Sequence, residues 1–216
     1  MISSLIKTTE EPLTYAKTRS IYTHQERFDQ TLKTIKSVKN KIPDSIICIV
    51  DCSPFTEEEV NTLYKLCNYF INLYDNDEYR EIMRNGKSKS LAEAMQTLYL
   101  INFLKNNNIK YKNFFKISGR YELNDMFNYS LFDNNVNIGR IQPLMESYCL
   151  TSFYKINYET SHNLCEFIKN NIYSLQIGIP YEEFFKVFMS LNNVRYLDVP
   201  LGIDEYISVN GDFRQH

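Results

Sequence analysis

The chain has 216 residues, enough for one domain with a sizeable core, and a formal net charge of −2 from 24 basic and 26 acidic side chains. These charges are intermixed, so no field strong enough to track a nucleic-acid backbone is expected, and we predict no nucleic-acid partner. No apolar run approaches the roughly 20 residues that span a bilayer, and the first seven residues are too short for a signal peptide.

The five cysteines are odd in number and lack the spacing of zinc sites, which favours reduced thiols in a cytoplasmic protein. Frequent Asn, Ile, Lys and Tyr is typical of genomes rich in A and T, such as those of large DNA viruses and some microbes. We therefore expect the cytoplasm of a microbe or of a virus-infected host cell.

The first elements read as a strand, a helix and a second strand. Residues 7–18 are polar and are predicted to be a mobile lead-in to a first strand over residues 19–23. Residues 26–41 then place Phe28, Leu32, Ile35 and Val38 on one helical face. Residues 45–50 form a continuous apolar run, which is typical of a strand buried on both faces of a parallel sheet.

The same alternation continues to residue 117. Thr56 followed by three glutamates predicts the start of a helix that reaches Cys67. A strand over 69–74, a helix over 90–104 with a regular apolar stripe, and a strand over 113–117 follow. This order predicts an α/β fold of the Rossmann type, a mostly parallel sheet flanked by helices.

The alternation weakens in the second half of the chain. Strands are predicted over 136–142, 150–156 and 194–199, and helices over 161–170 and 181–190. No linker or internal repeat divides the chain, so one domain over residues 1–216 is expected, with a mixed C-terminal half over 126–216.

Polar side chains follow each strand of the first half, where an open α/β sheet binds its ligands. We expect them to share one edge of the sheet. They are Thr23 and Arg27 after the first strand, Asp51 and Ser53 after the second, Asp75 and Asp77 after the third, and Ser118, Gly119, Arg120 and Tyr121 after the fourth.

Two segments carry a family resemblance. Residues 23–28 (Thr-His-Gln-Glu-Arg-Phe), with the helix, the buried strand and the Asp-Cys-Ser at 51–53, resemble the nucleotide-binding half of GT-A-fold glycosyltransferases. Residues 116–121 (Lys-Ile-Ser-Gly-Arg-Tyr) are similar to a segment of surface-polysaccharide members. The resemblance implies a nucleotide-sugar-binding half over 19–125 with Thr23, Arg27 and Asp51 around the nucleoside, and an acceptor side over 126–216. It implies transfer of a sugar from a nucleoside diphosphate donor to a hydroxyl of a glycan acceptor.

The position at which that family holds a divalent metal differs here. The resemblance implies an Asp-x-Asp after the fourth strand, where this chain has Ser118, Gly119 and Arg120. Asp75 and Asp77 form such a triplet one strand earlier and offer the carboxylates that Mn²⁺ or Mg²⁺ prefers, although an ordinary acidic loop also has this pattern. We favour the alternative that Arg120 and Lys116 neutralise the diphosphate without a metal.

The other candidates lie at helix starts and near the C-terminal end of the sequence. Lys87 precedes the long helix, where amides and lysines can receive a phosphate, and an ordinary capped helix start is equally expected. Glu182 and Glu183 are candidate general bases, although acids also favour the first turn of any helix. Asp204 and Glu205 are secondary candidates, and Tyr148 is a candidate for stacking on a sugar ring.

Two further functions fit the same pattern. A sugar nucleotidyltransferase has a related sheet but is expected to have a Gly-rich loop after its first strand, and residues 23–28 contain no glycine. A non-catalytic domain that binds nucleotide-sugars or glycans is the second alternative. His24 and His162 lack a Ser or Cys partner, so no hydrolytic triad is expected.

Overall fold

The N-terminal half alternates strands and helices, as the apolar pattern predicts. The computed structural model of the chain describes residues 1–13, 16–142 and 145–216. The elements of this half are β1 (Ile2–Ser3), α1 (His24–Lys41), β2 (Cys48–Asp51), α2 (Glu57–Leu66), β3 (Tyr69–Asn72), α3 (Asp77–Arg80) with a π-helical turn (Glu81–Asn85), α4 (Lys89–Asn106) and β4 (Asn113–Ser118).

The C-terminal half mixes short strands with helices. Both predicted helices are present, whereas the strand predicted over 136–142 is divided in two and the one predicted over 150–156 begins at Phe153. The elements are β5 (Glu122–Leu123), a 3₁₀ turn (Tyr129–Leu131), β6 (Asn137–Gly139), β7 (Ile141–Gln142), β8 (Met145–Cys149), β9 (Phe153–Asn157), α5 (Tyr158–Asn170), α6 (Ile172–Gln176), α7 (Tyr181–Ser190), β10 (Val194–Tyr196), β11 (Ile203–Tyr206) and β12 (Phe213–Gln215).

The described residues form a sheet of seven strands in the order β10-β6-β9-β4-β1-β2-β3. The neighbours from β4 to β3 are all parallel, and β9 alone runs antiparallel, against both β4 and β6. The chain is therefore α/β with a mostly parallel mixed sheet, which confirms the predicted fold class at this level. A small antiparallel sheet of β12, β11 and β5 lies beside it.

Apolar side chains cover both faces of the sheet. In β2, Cys48 and Val50 belong to one core cluster with α4 and α7, whereas Ile49 belongs to the other, with α1. This separation follows from the alternation of side chains along a strand. Because both faces are covered, polar ligands can reach the sheet at the strand ends.

The predicted first strand over 19–23 is wrong. The first strand is β1, where Ile2 pairs with Ile49 of β2 and with Ile117 of β4. Two buried residues are too few to show a period, which is why the pattern of the sequence does not reveal this strand. Thr23 instead caps α1, in a reciprocal capping box with Glu26.

Residues 7–13 are anchored rather than a free lead-in. The Lys7 amide donates to Ser53 Oγ at 2.8 Å, Thr9 Oγ1 donates to the Arg84 carbonyl, and Leu13 is buried. Residues 14 and 15 of the predicted lead-in lie outside the described residues. In the described part of the chain, no helix is both long and apolar enough to cross a membrane.

Candidate functional site

A cavity opens at the point where the strand order of the sheet reverses. Chain order runs outwards from β1 to β2 and β3 on one side, and β4 lies on the other side of β1. In doubly wound sheets such a switch point forms a crevice outside the carboxyl ends of the strands. Here a cavity of about 300 Å³ is lined by Ser3 and Ser4 at the end of β1 and by Ser118 at the end of β4. We call it the switch-point cavity.

Basic side chains outnumber acidic ones in the lining of the switch-point cavity. Of the described residues that line it, five are Arg or Lys and three are Glu, so an anionic ligand is favoured. The basic residues are Arg19, Arg27, Lys89, Arg120 and Arg214, and the acidic ones are Glu93, Glu182 and Glu205.

Arg120 and Tyr121 follow β4 and form part of the wall. Arg120 is buried, its guanidinium lies 5.4 Å from the centre of the Tyr121 ring, and Nε donates to the Tyr206 carbonyl at 3.4 Å. Among the described residues no carboxylate is within ion-pair distance of it. Burial raises the pKa of Tyr121 to about 12, so its phenol stays protonated and can donate a hydrogen bond.

Arg27 holds the loop that follows β1. Its Nε donates to the carbonyls of Leu5 and Ile6 at 3.0 Å, and its side chain is almost fully buried. Burial, and then the nearby charge of Arg120, lower the pKa of Arg27 to about 9. Arg27 therefore lies at the predicted site, but part of its bonding capacity shapes the cavity wall.

Lys116 does not face the cavity, although the sequence places it beside the diphosphate. Its ammonium is fully buried, where it pairs with Glu93 and donates to the Thr151 carbonyl. Lys89, the first residue of α4, lines the cavity instead. The Lys89 side chain is exposed to the open space of the cavity. Desolvation by the surrounding protein, and then the nearby charge of Arg120, lower the pKa of its ammonium to about 8.

A second cavity of about 380 Å³ adjoins the first. It is lined by Lys87, Met145 and Tyr148, and it runs along the start of α7. We call it the adjacent cavity. The two cavities share four described lining residues, which mark the junction between them: Lys89, Glu93, Gln142 and Glu182.

Glu182 lies at this junction, and its neighbour Glu183 does not. Helix α7 begins after Pro180, and the Tyr181 amide donates to Ser90 Oγ at 3.0 Å, which fixes this end of the helix against α4. Burial, and then the charge of Glu93, raise the pKa of Glu182. Glu183 is not among the described residues that line either cavity.

Strand β11 turns Glu205 towards the switch-point cavity and Asp204 away from it. Glu205 is buried, with Oε2 3.1 Å from His216 Nε2, and Oε1 has no hydrogen-bond partner among the described residues. Asp204 Oδ1 accepts hydrogen bonds from Asn124 Nδ2 at 2.7 Å and Gln215 Nε2 at 3.0 Å. The structure therefore gives Asp204 a structural role and leaves a Glu205 oxygen available to a ligand.

The remaining predicted donor-binding residues of the first two loops support the cavity from outside. Asp51 is fully buried, and its Oδ2 accepts from the Ile6 amide at 3.0 Å. Ser53 Oγ accepts from the Lys7 amide, and Thr23 is bonded within its own capping box. None of the three is among the described lining residues of the cavity, whereas Ser118, Arg120 and Tyr121 are.

Gly119 is needed where the ends of β1 and β4 meet. A Cβ atom on this residue would lie 2.9 Å from Ser4 Oγ and 3.2 Å from Thr31 Oγ1. Its amide donates to the Ser3 carbonyl at 2.8 Å. Gly119 thus keeps the two strand ends close together and contributes no side chain to a ligand.

The acidic triplet after β3 is remote from both cavities. Asp75 and Asp77 are exposed, and Asp77 forms an ion pair with Arg80 in the first turn of α3. Within the described residues, no group of three or more His, Cys, Asp or Glu side chains is placed to hold a metal ion. In the switch-point cavity, Glu93 and Glu205 already have basic partners, Lys116 and His216. The described residues therefore indicate no site for a divalent cation.

Sequence reasoning missed Glu93 and the serines at the end of β1, and it included Lys89 only as one of the lysines before the long helix. Lys89 and Glu93 are spaced by four residues and interrupt the apolar stripe at the start of α4, which is a signal that they share a face outside the core.

Comparison with models of known protein families gives no match, and no curated protein matches the chain in sequence.

Proposed function

We propose that the chain is a glycosyltransferase that moves a sugar from a nucleoside diphosphate donor to a hydroxyl of a glycan acceptor. The observation that carries this proposal is that a cation-lined cavity at the switch point meets a second cavity at a carboxylate, Glu182. A group-transfer enzyme needs two substrate sites that meet at the reacting atoms. It also needs a base at that meeting point.

The switch-point cavity is the proposed donor site. Its position outside the ends of β1 and β4 is where doubly wound sheets bind nucleotides. Arg120 and Lys89 provide positive charge for the diphosphate, and an Arg fork can bind phosphate oxygens in a bidentate manner. In the proposed reaction these two cations, in preference to a metal ion, neutralise the diphosphate.

The adjacent cavity is the proposed acceptor site. Tyr148 provides an aromatic ring, and the exposed side chains of Met145 and Ile177 provide apolar surface at its wall. Sugar rings present apolar faces that pack against such side chains, while their hydroxyls need polar partners. Gln142 and Glu182 offer such partners at the junction.

The proposed transfer then follows from this arrangement. Glu182 takes the proton from the acceptor hydroxyl, and the acceptor oxygen forms a bond to the anomeric carbon of the donor sugar. The bond between that carbon and the phosphate oxygen breaks, and its electron pair leaves with the nucleoside diphosphate. Arg120 and Lys89 stabilise the charge that develops on this leaving group.

Ligand-induced thermal stabilisation tests the proposed donor site. Nucleoside diphosphates with different bases would be screened with and without Mn²⁺, and a ligand at 100 times its Kd adds roughly 2.7 kcal/mol to the free energy of unfolding. We expect stabilisation by at least one of them, reduced in Arg120→Ala. The same stabilisation in Arg120→Ala would place the nucleotide elsewhere.

Turnover separates this proposal from its alternatives. A transferase given a nucleoside diphosphate sugar without acceptor should slowly release free nucleoside diphosphate, and a non-catalytic binding domain should release none. A nucleotidyltransferase would instead release pyrophosphate from a nucleoside triphosphate and a sugar phosphate. Either the absence of nucleoside diphosphate release or the release of pyrophosphate would overturn the proposed function while keeping the nucleotide site.

A further inference from the structure

A second carboxylate, Glu93, lies beside Glu182 at the junction of the two cavities. It is in the first turns of α4, four residues after Lys89, and it lines both cavities. Only 17% of its side chain is exposed. Two glutamates from different helices, α4 and α7, therefore meet where the substrates are proposed to meet.

Glu93 differs from Glu182 in having a fixed cation. Its Oε1 pairs with the ammonium of Lys116, which comes from inside the sheet and has no exposed surface. Loss of the Glu93 carboxylate would leave a buried ammonium without a compensating charge. This ion pair therefore fixes the position of the Glu93 carboxylate at the junction.

Titratable groups of three elements interact with Glu182 among the described residues. Glu93 and Lys89 act on it from α4, the enclosed Lys116 acts on it from β4, and the thiol of Cys149 lies near it in β8. Among these groups Glu93 has the largest effect on Glu182, and a nearby like charge disfavours the ionised form of a carboxyl. The two glutamates thus have different surroundings: Glu93 is paired with a buried cation, and Glu182 has no ion-pair partner among the described residues.

We propose that Glu93, held by Lys116, is a positioning residue: its carboxylate lies with Glu182 at the junction of the two cavities and assists proton transfer from the acceptor hydroxyl to Glu182. The charge coupling is a property of the folded chain, and only its consequence for catalysis rests on the proposed function. A base works best when its proton affinity suits the working pH, so this coupling raises the ability of Glu182 to take a proton near neutrality.

Carboxyl titration in the protein without substrate tests the coupling directly. The protein would be labelled with ¹³C at glutamate carboxyls, and the Glu182 resonance would be assigned by its loss in Glu182→Gln. In Glu93→Gln the midpoint of the Glu182 titration should move to lower pH. Glu183→Gln is the matched control, because it removes a neighbouring glutamate that lies outside both cavities, and it should leave the midpoint in place.

A second variant covers the risk that Glu93→Gln unfolds, because that change leaves the Lys116 charge buried without a counter-charge. The double variant Glu93→Gln/Lys116→Met removes both charges. It should still lower the Glu182 midpoint, by less than the single change, because the loss of the Lys116 cation acts in the opposite direction. An unchanged midpoint in the folded variants would overturn the inference, whatever the activity.

The pH dependence of kcat/KM tests the catalytic consequence. With a donor and acceptor that the protein turns over, the acidic limb of the profile should move to lower pH in Glu93→Gln, with a severalfold loss of turnover at neutral pH. A moved titration with an unmoved acidic limb would show that Glu182 is not the base. That result contradicts the catalytic role of Glu93 and the base assignment of the proposed function, and leaves the charge coupling established.

Discussion

Gly119 and Ser4 are in such close contact that no side chain fits between them. A Cβ atom on Gly119 would lie 2.9 Å from Ser4 Oγ and 3.0 Å from Ser4 Cβ. Thr31 Oγ1 also donates to the Gly119 carbonyl at 2.9 Å. These contacts join the ends of β1 and β4, which form the floor of the switch-point cavity.

Gly119→Ala should therefore lower the free energy of unfolding by about 1–3 kcal/mol, the usual cost of an added methyl group in a tightly packed site. Denaturant titration measures this loss. Adding Ser4→Gly should recover part of it, since the nearest two clashing atoms are then removed. If the double variant is no more stable than expected from the two single changes, the contact with Ser4 is not the cause.

The structure separates Glu182 from Glu183, which the sequence alone does not. Only Glu182 lines the described cavity walls, so Glu182→Gln should lower turnover by roughly 10²- to 10⁴-fold, the share of general base catalysis. Donor affinity should change little. Glu183→Gln is the matched control and should stay near full activity, whereas equal losses in both variants would contradict the assignment.

Glu182→Gln should also stabilise the protein at neutral pH. The pKa of Glu182 is raised by folding, so the folded state binds its proton more tightly than the unfolded chain does. The stability from this proton is present below the unfolded pKa of about 4.3 and is lost as pH rises through the folded pKa. The gain in Glu182→Gln should thus disappear at acid pH, as measured by denaturant titration at several pH values.

Long periodic segments made the fold class predictable from the sequence. The apolar stripe of α4 and the continuous run that ends in β2 are set by local pattern, and both elements lie where that pattern indicates. Strand β1 was missed because two residues carry no period. That error predicted the first ligand-binding loop at Thr23, whereas the first strand ends at Ser3, and Ser3 and Ser4 line the switch-point cavity.

The site was only partly predictable, because side-chain partners are set by tertiary contacts. Ser118, Arg120 and Tyr121 lie in the cavity as expected from their position after a strand. Lys116 lies within β4 rather than after it, and its enclosed ammonium pairs with Glu93. No pattern in the sequence connects α4 to β4 in this way, so the pairing of Glu93 with Lys116 could not be predicted.

Glu205 and Asp204 should behave differently when each loses its charge. Glu205 Oε1 is buried without a partner at the switch-point cavity, so a ligand hydroxyl or N–H is expected to donate to it. A hydrogen bond to a charged group contributes about 1.5–3 kcal/mol, so Glu205→Gln should weaken donor binding roughly 10- to 100-fold by calorimetry. Asp204→Asn should leave the affinity unchanged, because its carboxylate bonds to Asn124 and Gln215. Equal affinity in Glu205→Gln would place the ligand on another wall.

The last prediction is that the leaving diphosphate depends on Arg120 rather than on a metal held by Asp75 and Asp77. Arg120 is at the wall of the switch-point cavity without a carboxylate partner among the described residues, whereas Asp75 and Asp77 are exposed and lie outside that wall. Arg120→Ala should lower activity by roughly 10²-fold or more, comparable to the loss of one preorganised stabilising donor. Arg120→Lys keeps the charge without the planar fork and should recover only part of this loss.

The acidic pair is the internal control for this prediction. Asp75→Asn/Asp77→Asn should change activity little, and a chelator should be tolerated, because neither carboxylate reaches the cavity. The assignment of Arg120 would be reversed by three results together: activity disappears in chelator, it returns with Mn²⁺, and it is absent from the double Asn variant. Such a result would require the loop after β3 to move to the ends of β1 and β4 when the donor binds, and the role given to Arg120 would then belong to the metal.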